Sequence, residues 1–354
     1  MSRFDLQFRE INLTLSQPFT ISRGTKDSVS NVMIMLRSEG LTGLGEAAPN
    51  RRYDEDAEKV SRFLSTLPNS LFDDVDSPLV LREKLFAASE DYRADGHKVP
   101  LSALAGVEMA WLDFWAKRRG EPLWKLLGLS SRKGPQTSFT IGIDTLEVMQ
   151  EKVLAAEEYP ILKVKLGTDN DREIVKCIRE VTQKPIRVDA NEGWESVEEA
   201  KEMIGYLNEE GIELVEQPMA ADRTEDLKKL KAWAPLPLAA DESFMGEEPL
   251  HEIAECFDII NIKLMKMGSV VKAMSVIEEA QSYGLKVMIG CMIETSIANT
   301  AGAVLSLAAD YADLDGHLLI SDDPAVGLTL DRNKHIMLNE RPGLGVELNK
   351  GFGF

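Results

Sequence analysis

Cysteine and histidine are scarce in this chain. The 354 residues include 3 cysteines and 4 histidines, and aromatic residues make up 6%. The cysteines are odd in number and widely separated, which excludes a disulfide framework and a zinc knuckle. The histidines show no ligand spacing. We therefore interpret the cysteines as free thiols and the histidines as structural or surface residues: Cys177, Cys256, Cys291, His97, His251, His317 and His335.

Acidic residues outnumber basic residues, and the chain has no long uninterrupted apolar run. Lysine and arginine total 40 against 59 acidic residues, so the net charge is -19. Such a chain repels nucleic acid and anionic membranes, and an anionic ligand would need a local positive pocket. The start, MSRFDLQFREINL, lacks a signal-peptide core, and the most apolar stretch is interrupted by Glu108 and Asp113. We predict a cytoplasmic protein with neither nucleic acid nor a membrane as partner.

The first third of the chain has the pattern of an α+β unit. Alternating runs over 6–15, 32–36 and 41–47 predict an antiparallel meander, and the patterns over 54–67, 78–88 and 101–118 predict helices. The glycines of GLTGLGEAA lack the strand-to-helix context of a dinucleotide site and indicate a hairpin.

From Ser138 onward, strand-like runs such as ILKVKLG, IRVDA and IELVEQP alternate with helical stretches. This alternation favours a parallel barrel surrounded by helices. The tail shows no helical period, and no low-complexity linker separates the parts. We predict an α/β protein with a capping domain over 1–120, a (β/α)7β TIM-type barrel over 121–318 and a C-terminal segment, 319–354, that returns to complete the cap.

Three acidic residues end consecutive strand-like runs. Asp189, Glu216 and Asp241 are 27 and 25 residues apart, about one βα unit. In a barrel this spacing brings all three carboxylates to the C-terminal mouth. Taken singly, each could be a helix cap or a surface acid. Together they predict an oxygen-only metal site, which is typical of a hard cation such as Mg²⁺.

Lysines flank the acids on both sides. The period of two in ILKVKLG directs Lys163 and Lys165 into the barrel, and Lys263 follows Asp241 by 22 residues. A solvated edge strand would be the alternative, but buried charges need a partner, which a carboxylate-bound metal supplies. Lys266 is predicted to face away from the site.

Two further residues are ambiguous in the sequence. Asn191 could support the metal or simply form a turn, and Glu294 in CMIETSI could line the site or cap a helix.

The Lys-x-Lys pair, the three acids on successive strands and the following lysine resemble the muconate-lactonizing branch of the enolase superfamily. AGVEMAWLDFWAKRRGEPLWKLLG is similar to that branch's linker helix, and GLGEAAPNRRYDED resembles its capping domain. Within the branch, DLDG and PFTISRG resemble dipeptide epimerases. The resemblance covers nearly the whole chain.

The resemblance implies an Mg²⁺-dependent isomerase that epimerises a small dipeptide at the α-carbon of its C-terminal residue. It implies that Asp313 and Asp315 hold the substrate's α-ammonium, with L-Ala-D/L-Glu as the leading substrate. Lys165 and Lys263 lie on opposite sides of the metal-binding strands, so one can remove a proton while the other returns it to the opposite face of an enediolate. Lys163 is assigned to the substrate carboxylate.

The capping loop PFTISRGTKD adds two cations near the expected mouth. Arg23 could grip a side-chain carboxylate of the substrate, or it could only pin the loop. Lys26 is the second cation.

Other functions are compatible with parts of the pattern. An o-succinylbenzoate synthase or muconate cycloisomerase would use the same metal and lysines, a Schiff-base aldolase would need one buried lysine, and a ligand-binding barrel would need none. Neither the physiological dipeptide, the pathway nor the oligomeric state follows from the sequence, although a homo-oligomer is compatible with it.

Overall fold

The computed structural model describes residues 3–353 and begins with a three-stranded antiparallel sheet. Its strands are β1 (Asp5–Ile21), β2 (Gly24–Ser38) and β3 (Leu41–Ala47). The β1–β2 hairpin is longer than the sequence predicts and includes PFTISRG, because Phe19 pairs with Lys26 and Thr20 with Thr25 beyond a register shift. The expected capping loop is therefore the tip of an ordered hairpin.

The helices of the cap are α1 (Ala57–Thr66), α2 (Pro78–Ala94) and α3 (Leu101–Arg119), with short 3₁₀ turns at Arg51–Tyr53 and Asn69–Phe72. Helix α3 packs directly on β3. A Cβ at Gly43 or Gly45 would lie 2.0 Å from a backbone oxygen of α3, so only glycine permits this approach. The glycine pattern thus serves helix packing as well as the turn at Gly40.

Eight parallel strands form the barrel: β5 (Phe139–Ile141), β6 (Leu162–Lys165), β7 (Ile186–Asp189), β8 (Leu214–Glu216), β9 (Leu238–Ala240), β10 (Ile259–Lys263), β11 (Lys286–Gly290) and β12 (Tyr311–Asp313). The sheet is nearly closed, because a bridge from Thr137 to Ala312 joins its first and last strands. The predicted fold class, a parallel barrel with an antiparallel cap, is confirmed.

Helices surround the barrel and connect its strands. They are α5 (Leu146–Ala155), α6 (Asp171–Arg179), α7 (Val197–Glu209), α8 (Thr224–Trp233), α9 (Leu250–Cys256), α10 (Leu264–Met267), α11 (Val270–Ser282) and α12 (Ser296–Ser306). The short α4 (Leu123–Leu126) and β4 (Lys133–Gln136) lead from the cap into the barrel. No helix within residues 3–353 is long and apolar enough to cross a membrane.

The C-terminal tail forms short strands, β13 (Ala325–Val326), β14 (Thr329–Leu330), β15 (His335–Met337) and β16 (Glu347–Leu348), after a 3₁₀ turn at Gly316–Leu318. Its backbone reaches the cap, where the amide of Ser321 donates to the carbonyl of Thr14 over 2.9 Å. The amide of Leu344 donates to Asp113 in α3 over 2.7 Å. The boundaries at residues 120 and 318 remain predictions.

Candidate active site

The three predicted acids meet at the barrel mouth. Asp189 and Glu216 end β7 and β8, and Asp241 directly follows β9. One oxygen from each carboxylate lies within 4.8 Å of the others, and all three side chains are buried. Convergent carboxylates with no sulfur or nitrogen ligand match the preference of a hard divalent cation.

Further oxygen atoms lie close to this acidic cluster. Asn191 is buried beside Asp189, and its backbone amide donates to Oδ1 of Asp189 over 3.0 Å. The side-chain Oδ1 of Asn191 has no hydrogen-bond partner among the described residues. Asn261 donates from Nδ2 to Glu216 over 2.8 Å. These polar groups are compatible with support of a bound cation, which is one of the two roles that the sequence leaves open for Asn191.

Lysine ammonium groups contact every acid of the cluster. Lys165 donates to Asp189 over 2.6 Å, and Lys263 donates to Asp241 over 2.7 Å. Lys163 donates to Glu216 and to Asp313 over 2.7 Å each. All three predicted lysines thus face the barrel interior, on strands that flank the acids.

The prediction that Lys266 faces away is wrong. Its side chain is 1% exposed, and Nζ donates to Oδ1 of Asp241 over 2.6 Å. Lys263 is the last residue of β10, and α10 begins at the next residue. From there the helical period of 3.6 applies, so residue i+3 returns to the same face as Lys263.

Charge pairing dominates the ionisation of this cluster. Burial lowers the pKa of Lys263, but the negative charges of Asp241 and Glu216 outweigh burial and raise that pKa well above its usual value. Burial also opposes ionisation of Asp241, yet Lys263 and Lys266 hold its pKa well below the usual range. Lys263 and Asp241 thus stabilise each other's charged form, as oppositely charged neighbours do. Burial, followed by the charge of Asp189, instead raises the pKa of Glu216.

Asp313 and Asp315 lie where β12 ends, beside Lys163. Asp313 accepts from the hydroxyl of Ser138 over 2.6 Å, and Asp315 accepts from the amide of Thr140 over 2.6 Å. Burial, followed by the charge of Asp313, raises the pKa of Asp315 to about 6. Both aspartates line the same cavity as the lysines, so they offer negative charge at one end of it.

The cap covers this end of the barrel and encloses a cavity of about 480 Å³. At the hairpin tip, Arg23 donates to Glu242 over 2.9 Å and to the carbonyl of Asn191 over 3.0 Å. Arg52, from the 3₁₀ turn of the cap, forms a bidentate pair with Glu192 over 2.9–3.1 Å. These contacts tie the cap to two barrel loops.

Comparison with known families identifies the chain. Residues 4–128 match the family described as "Mandelate racemase / muconate lactonizing enzyme, N-terminal domain", and residues 146–351 match "Enolase C-terminal domain-like". The protein belongs to the mandelate racemase/muconate lactonizing enzyme family. Enzymes of the enolase superfamily use a divalent metal, and the acidic cluster of this family member is suited to hold one.

Named relatives of this family member align over almost its full length. An L-Ala-D/L-amino acid epimerase of Pedosphaera parvula is 39% identical over 92% of this chain and 94% of its own. An L-Ala-D/L-Glu epimerase of Bacteroides thetaiotaomicron is 39% identical over 97% of this chain and 88% of its own. A dipeptide epimerase of Cytophaga hutchinsonii, solved with Mg and D-Ala-L-Val, superimposes with a TM-score of 0.86 at 26% identity, covering 98% and 96% of the chains.

The sequence patterns do not predict several residues that lie around the site. Glu192 and Glu242 bind the cap arginines, but they follow two different strands and carry no spacing signal. Cys291 lines the cavity, and its Sγ accepts from the amide of Gly316 over 3.3 Å. The signal for Cys291 was its place directly after β11, at the mouth.

Glu294 neither caps the next helix nor lines the cavity among the described residues. Thr295 caps α12 with its own hydroxyl, and Glu294 is buried and accepts from the backbone amide of Met292 over 3.4 Å. Burial and the neighbouring charge of Glu46 raise the pKa of Glu294 well above its usual value.

Proposed function

We propose that this family member is a dipeptide epimerase that inverts the α-carbon of the C-terminal residue by 1,1-proton transfer. One observation supports this proposal most strongly: two lysines and two aspartates line the same cavity. These are Lys165, Lys263, Asp313 and Asp315. The lysines suit proton transfer on both faces of a substrate. The aspartates suit the free ammonium that distinguishes a dipeptide from the acids used by the related lyases and cycloisomerases. The names of the relatives support the same reaction.

Asp189, Glu216 and Asp241 would hold Mg²⁺ in this proposal. A divalent cation held there would polarise the substrate carboxylate and offset the negative charge that develops when the α-proton leaves. The three buried carboxylates fit that role by charge and by oxygen chemistry.

Proton transfer is assigned to Lys165 on β6 and Lys263 on β10. Three strands carrying the acids separate them, so their amines would approach opposite faces of the substrate. The lysine that is neutral accepts the α-proton, and the other, as an ammonium, donates to the opposite face of the planar enediolate. In the reverse direction the two exchange roles.

The remaining residues would orient the substrate. Asp313 and Asp315 accept hydrogen bonds from the α-ammonium, which fixes the N-terminal residue at the β12 side. Lys163 would neutralise the substrate carboxylate; without substrate its ammonium is shared among Glu216, Asp313 and Asp189. Because Arg23 is bound to Glu242 and Asn191, we propose that it serves the binding site by holding the hairpin closed.

L-Ala-D/L-Glu is the leading substrate, consistent with the names of the relatives and with the cationic side chains that the cap contributes to the cavity. The decisive test is a dipeptide library incubated with enzyme and Mg²⁺ in D₂O, with deuterium uptake at the α-carbon read by mass spectrometry. The proposal requires one deuterium in the C-terminal residue of Ala-Glu and formation of the other epimer. The proposal would be refuted if folded enzyme incorporated no α-deuterium into any dipeptide of the library.

A further inference from the structure

Gln217 directly follows Glu216 of the acidic cluster, and its side chain is completely buried. Oε1 accepts from the backbone amides of Asp241 and Ser243 over 3.0 Å each. Nε2 donates to the carbonyl of Met219 over 2.9 Å and to Oγ of Ser243 over 2.8 Å. Two accepted and two donated hydrogen bonds use the full capacity of a side-chain amide. The amide thus connects the end of β8 to the loop that begins with Asp241.

The backbone of Gln217 makes two further connections. Its amide donates to the carbonyl of Ala239 in β9, and its carbonyl accepts from the amide of Glu192, each over 2.9 Å. Glu192 lies in the loop after β7, the strand that ends with Asp189. Gln217 therefore follows one acid of the cluster and is hydrogen-bonded to the segments that follow the other two.

The backbone conformation of Gln217 is unusual for a residue with a side chain. Its φ is 39°, in the left-handed region that glycine adopts most easily. Such a conformation persists only where the surrounding contacts hold it. The four hydrogen bonds of the side-chain amide supply these contacts, and a glycine at this position would lack them. The strained backbone thus indicates that the glutamine amide is needed at this point.

We propose that Gln217 is a positioning residue that fixes the spacing of the three acids and so makes the cluster selective for Mg²⁺ over Ca²⁺. The inference rests on the metal site of the proposed function. Other residues line the cavity, so Gln217 acts through the segments to which it is bonded.

The preference follows from the geometry that each cation requires. Mg²⁺ needs near-ideal octahedral oxygen ligands at about 2.0–2.1 Å, whereas Ca²⁺ accepts about six to eight oxygens at about 2.3–2.6 Å in flexible arrangements. A cluster whose acids can shift relative to one another should therefore lose affinity for Mg²⁺ before it loses affinity for Ca²⁺. A general loss of stability would lower both affinities by the same factor.

Gln217→Met tests this role, because methionine has a similar length but cannot make the four hydrogen bonds. Metal-free enzyme would be titrated by calorimetry with Mg²⁺ alone and with Ca²⁺ alone, and the two dissociation constants compared. Loss of a residue that orients metal ligands typically lowers metal affinity about 10–100-fold. We expect Gln217→Met to weaken Mg²⁺ binding by about tenfold or more and Ca²⁺ binding by no more than about threefold.

Two further variants complete the comparison. Ser243→Ala removes only the hydroxyl that accepts from Nε2, and the amides of Asp241 and residue 243 keep Oε1 as acceptor. It should lower Mg²⁺ affinity about threefold and leave Ca²⁺ affinity unchanged. Gln150→Met is the matched control. It removes a half-buried amide that donates to the carbonyl of Cys177 over 2.9 Å, outside the cavity, and it should keep both wild-type affinities.

The outcomes separate this role from the proposed function. A folded Gln217→Met variant with the wild-type ratio of Mg²⁺ to Ca²⁺ affinity would overturn the positioning role and leave the epimerase standing. If that variant does not fold, Ser243→Ala decides: a lower ratio supports the proposal, and an unchanged ratio overturns it. A wild type that binds neither cation would contradict the metal site of the proposed function, and this inference would fail with it.

Discussion

Lys266 donates a 2.6 Å hydrogen bond to Oδ1 of Asp241, whose Oδ2 accepts from Lys263. The two lysines, one helical turn apart, thus occupy both oxygens of one acid. Lys266 is 1% exposed and also donates to the backbone carbonyl of Asp241. It therefore fixes the orientation of this carboxylate as a buried donor, while Lys263, which lines the cavity, contacts the other oxygen.

Replacing Lys266 with Met should change both stability and metal response. The metal-free variant should lose about 1–3 kcal/mol in the free energy of unfolding, because Oδ1 of Asp241 is left buried without its donor. The added negative charge of the site should then make Mg²⁺ raise the melting temperature more in the variant than in the wild type. Lys228→Met, which removes a pair with the exposed Glu255, is the matched control. Equal Mg²⁺ shifts in variant and wild type would rule out this role for Lys266.

Removing one acid of the cluster should separate metal binding from folding. Glu216→Gln keeps the shape of the side chain and its place beside Asn261 but removes one anionic oxygen. We expect Mg²⁺ affinity, measured by calorimetry, and turnover each to fall at least about a hundredfold, since the cation supplies several kcal/mol of charge stabilisation. The circular dichroism spectrum should be unchanged. Unaltered Mg²⁺ affinity, or full wild-type activity in excess EDTA after verified metal removal, would exclude the assigned site.

Asp315→Asn should weaken recognition of the substrate's ammonium. The side-chain oxygen of the new asparagine can still accept from the backbone amide of Thr140, but the side chain carries no charge. We therefore expect kcat/KM for Ala-Glu to fall about ten- to a hundredfold. N-acetyl-Ala-Glu, which has no ammonium, should be a poor substrate for the wild type and should not become worse in the variant. A parallel loss on the free and the acetylated dipeptide would mean that Asp315 acts only on the structure of its loop.

The linker helix should contribute a pH dependence to stability through Glu108. This buried residue accepts from the hydroxyl of Ser269 at the start of α11, and burial raises its pKa from 4.5 to about 7. Because the folded state holds this proton more tightly than the unfolded chain, the contribution is complete below pH 4.5 and is lost as pH rises through 7. The loss amounts to roughly 3 kcal/mol.

Chemical denaturation between pH 4.5 and 8 would check this prediction. The wild type should lose stability relative to Glu108→Gln as pH rises, whereas Glu58→Gln, a change at an exposed pair with Arg62, should track the wild type. Parallel stability curves for wild type and Glu108→Gln would show that Glu108 is already ionised in the folded protein at neutral pH.

The sequence predicts the barrel and its acids well because regular periods place them. Asp189, Glu216 and Asp241 recur once per βα unit, and the period of two directs Lys163 and Lys165 inward. These rules hold only within the strands. Lys266 was misplaced because the chain changes from strand to helix at residue 264, where the period changes too.

The contacts between cap and barrel could not be predicted in this way. Arg23 reaches Glu242 across 219 residues, and Arg52 reaches Glu192 across 140. Neither pair has a local spacing, because both depend on how two folded units dock. The motif PFTISRG predicts that Arg23 lies at the barrel mouth. Its role could be assigned only from the residues that it contacts in the folded protein.

The most direct test of the account is stereospecific exchange in D₂O. L-Ala-L-Glu and L-Ala-D-Glu would be incubated separately with wild type, Lys165→Met and Lys263→Met, and α-deuterium and epimer content followed by mass spectrometry and chiral chromatography. With Lys165 and Lys263 on opposite faces, each variant should exchange the α-proton of only one epimer, a different one for each variant, and neither should epimerise. Near-normal epimerisation by either variant would contradict the two-base assignment.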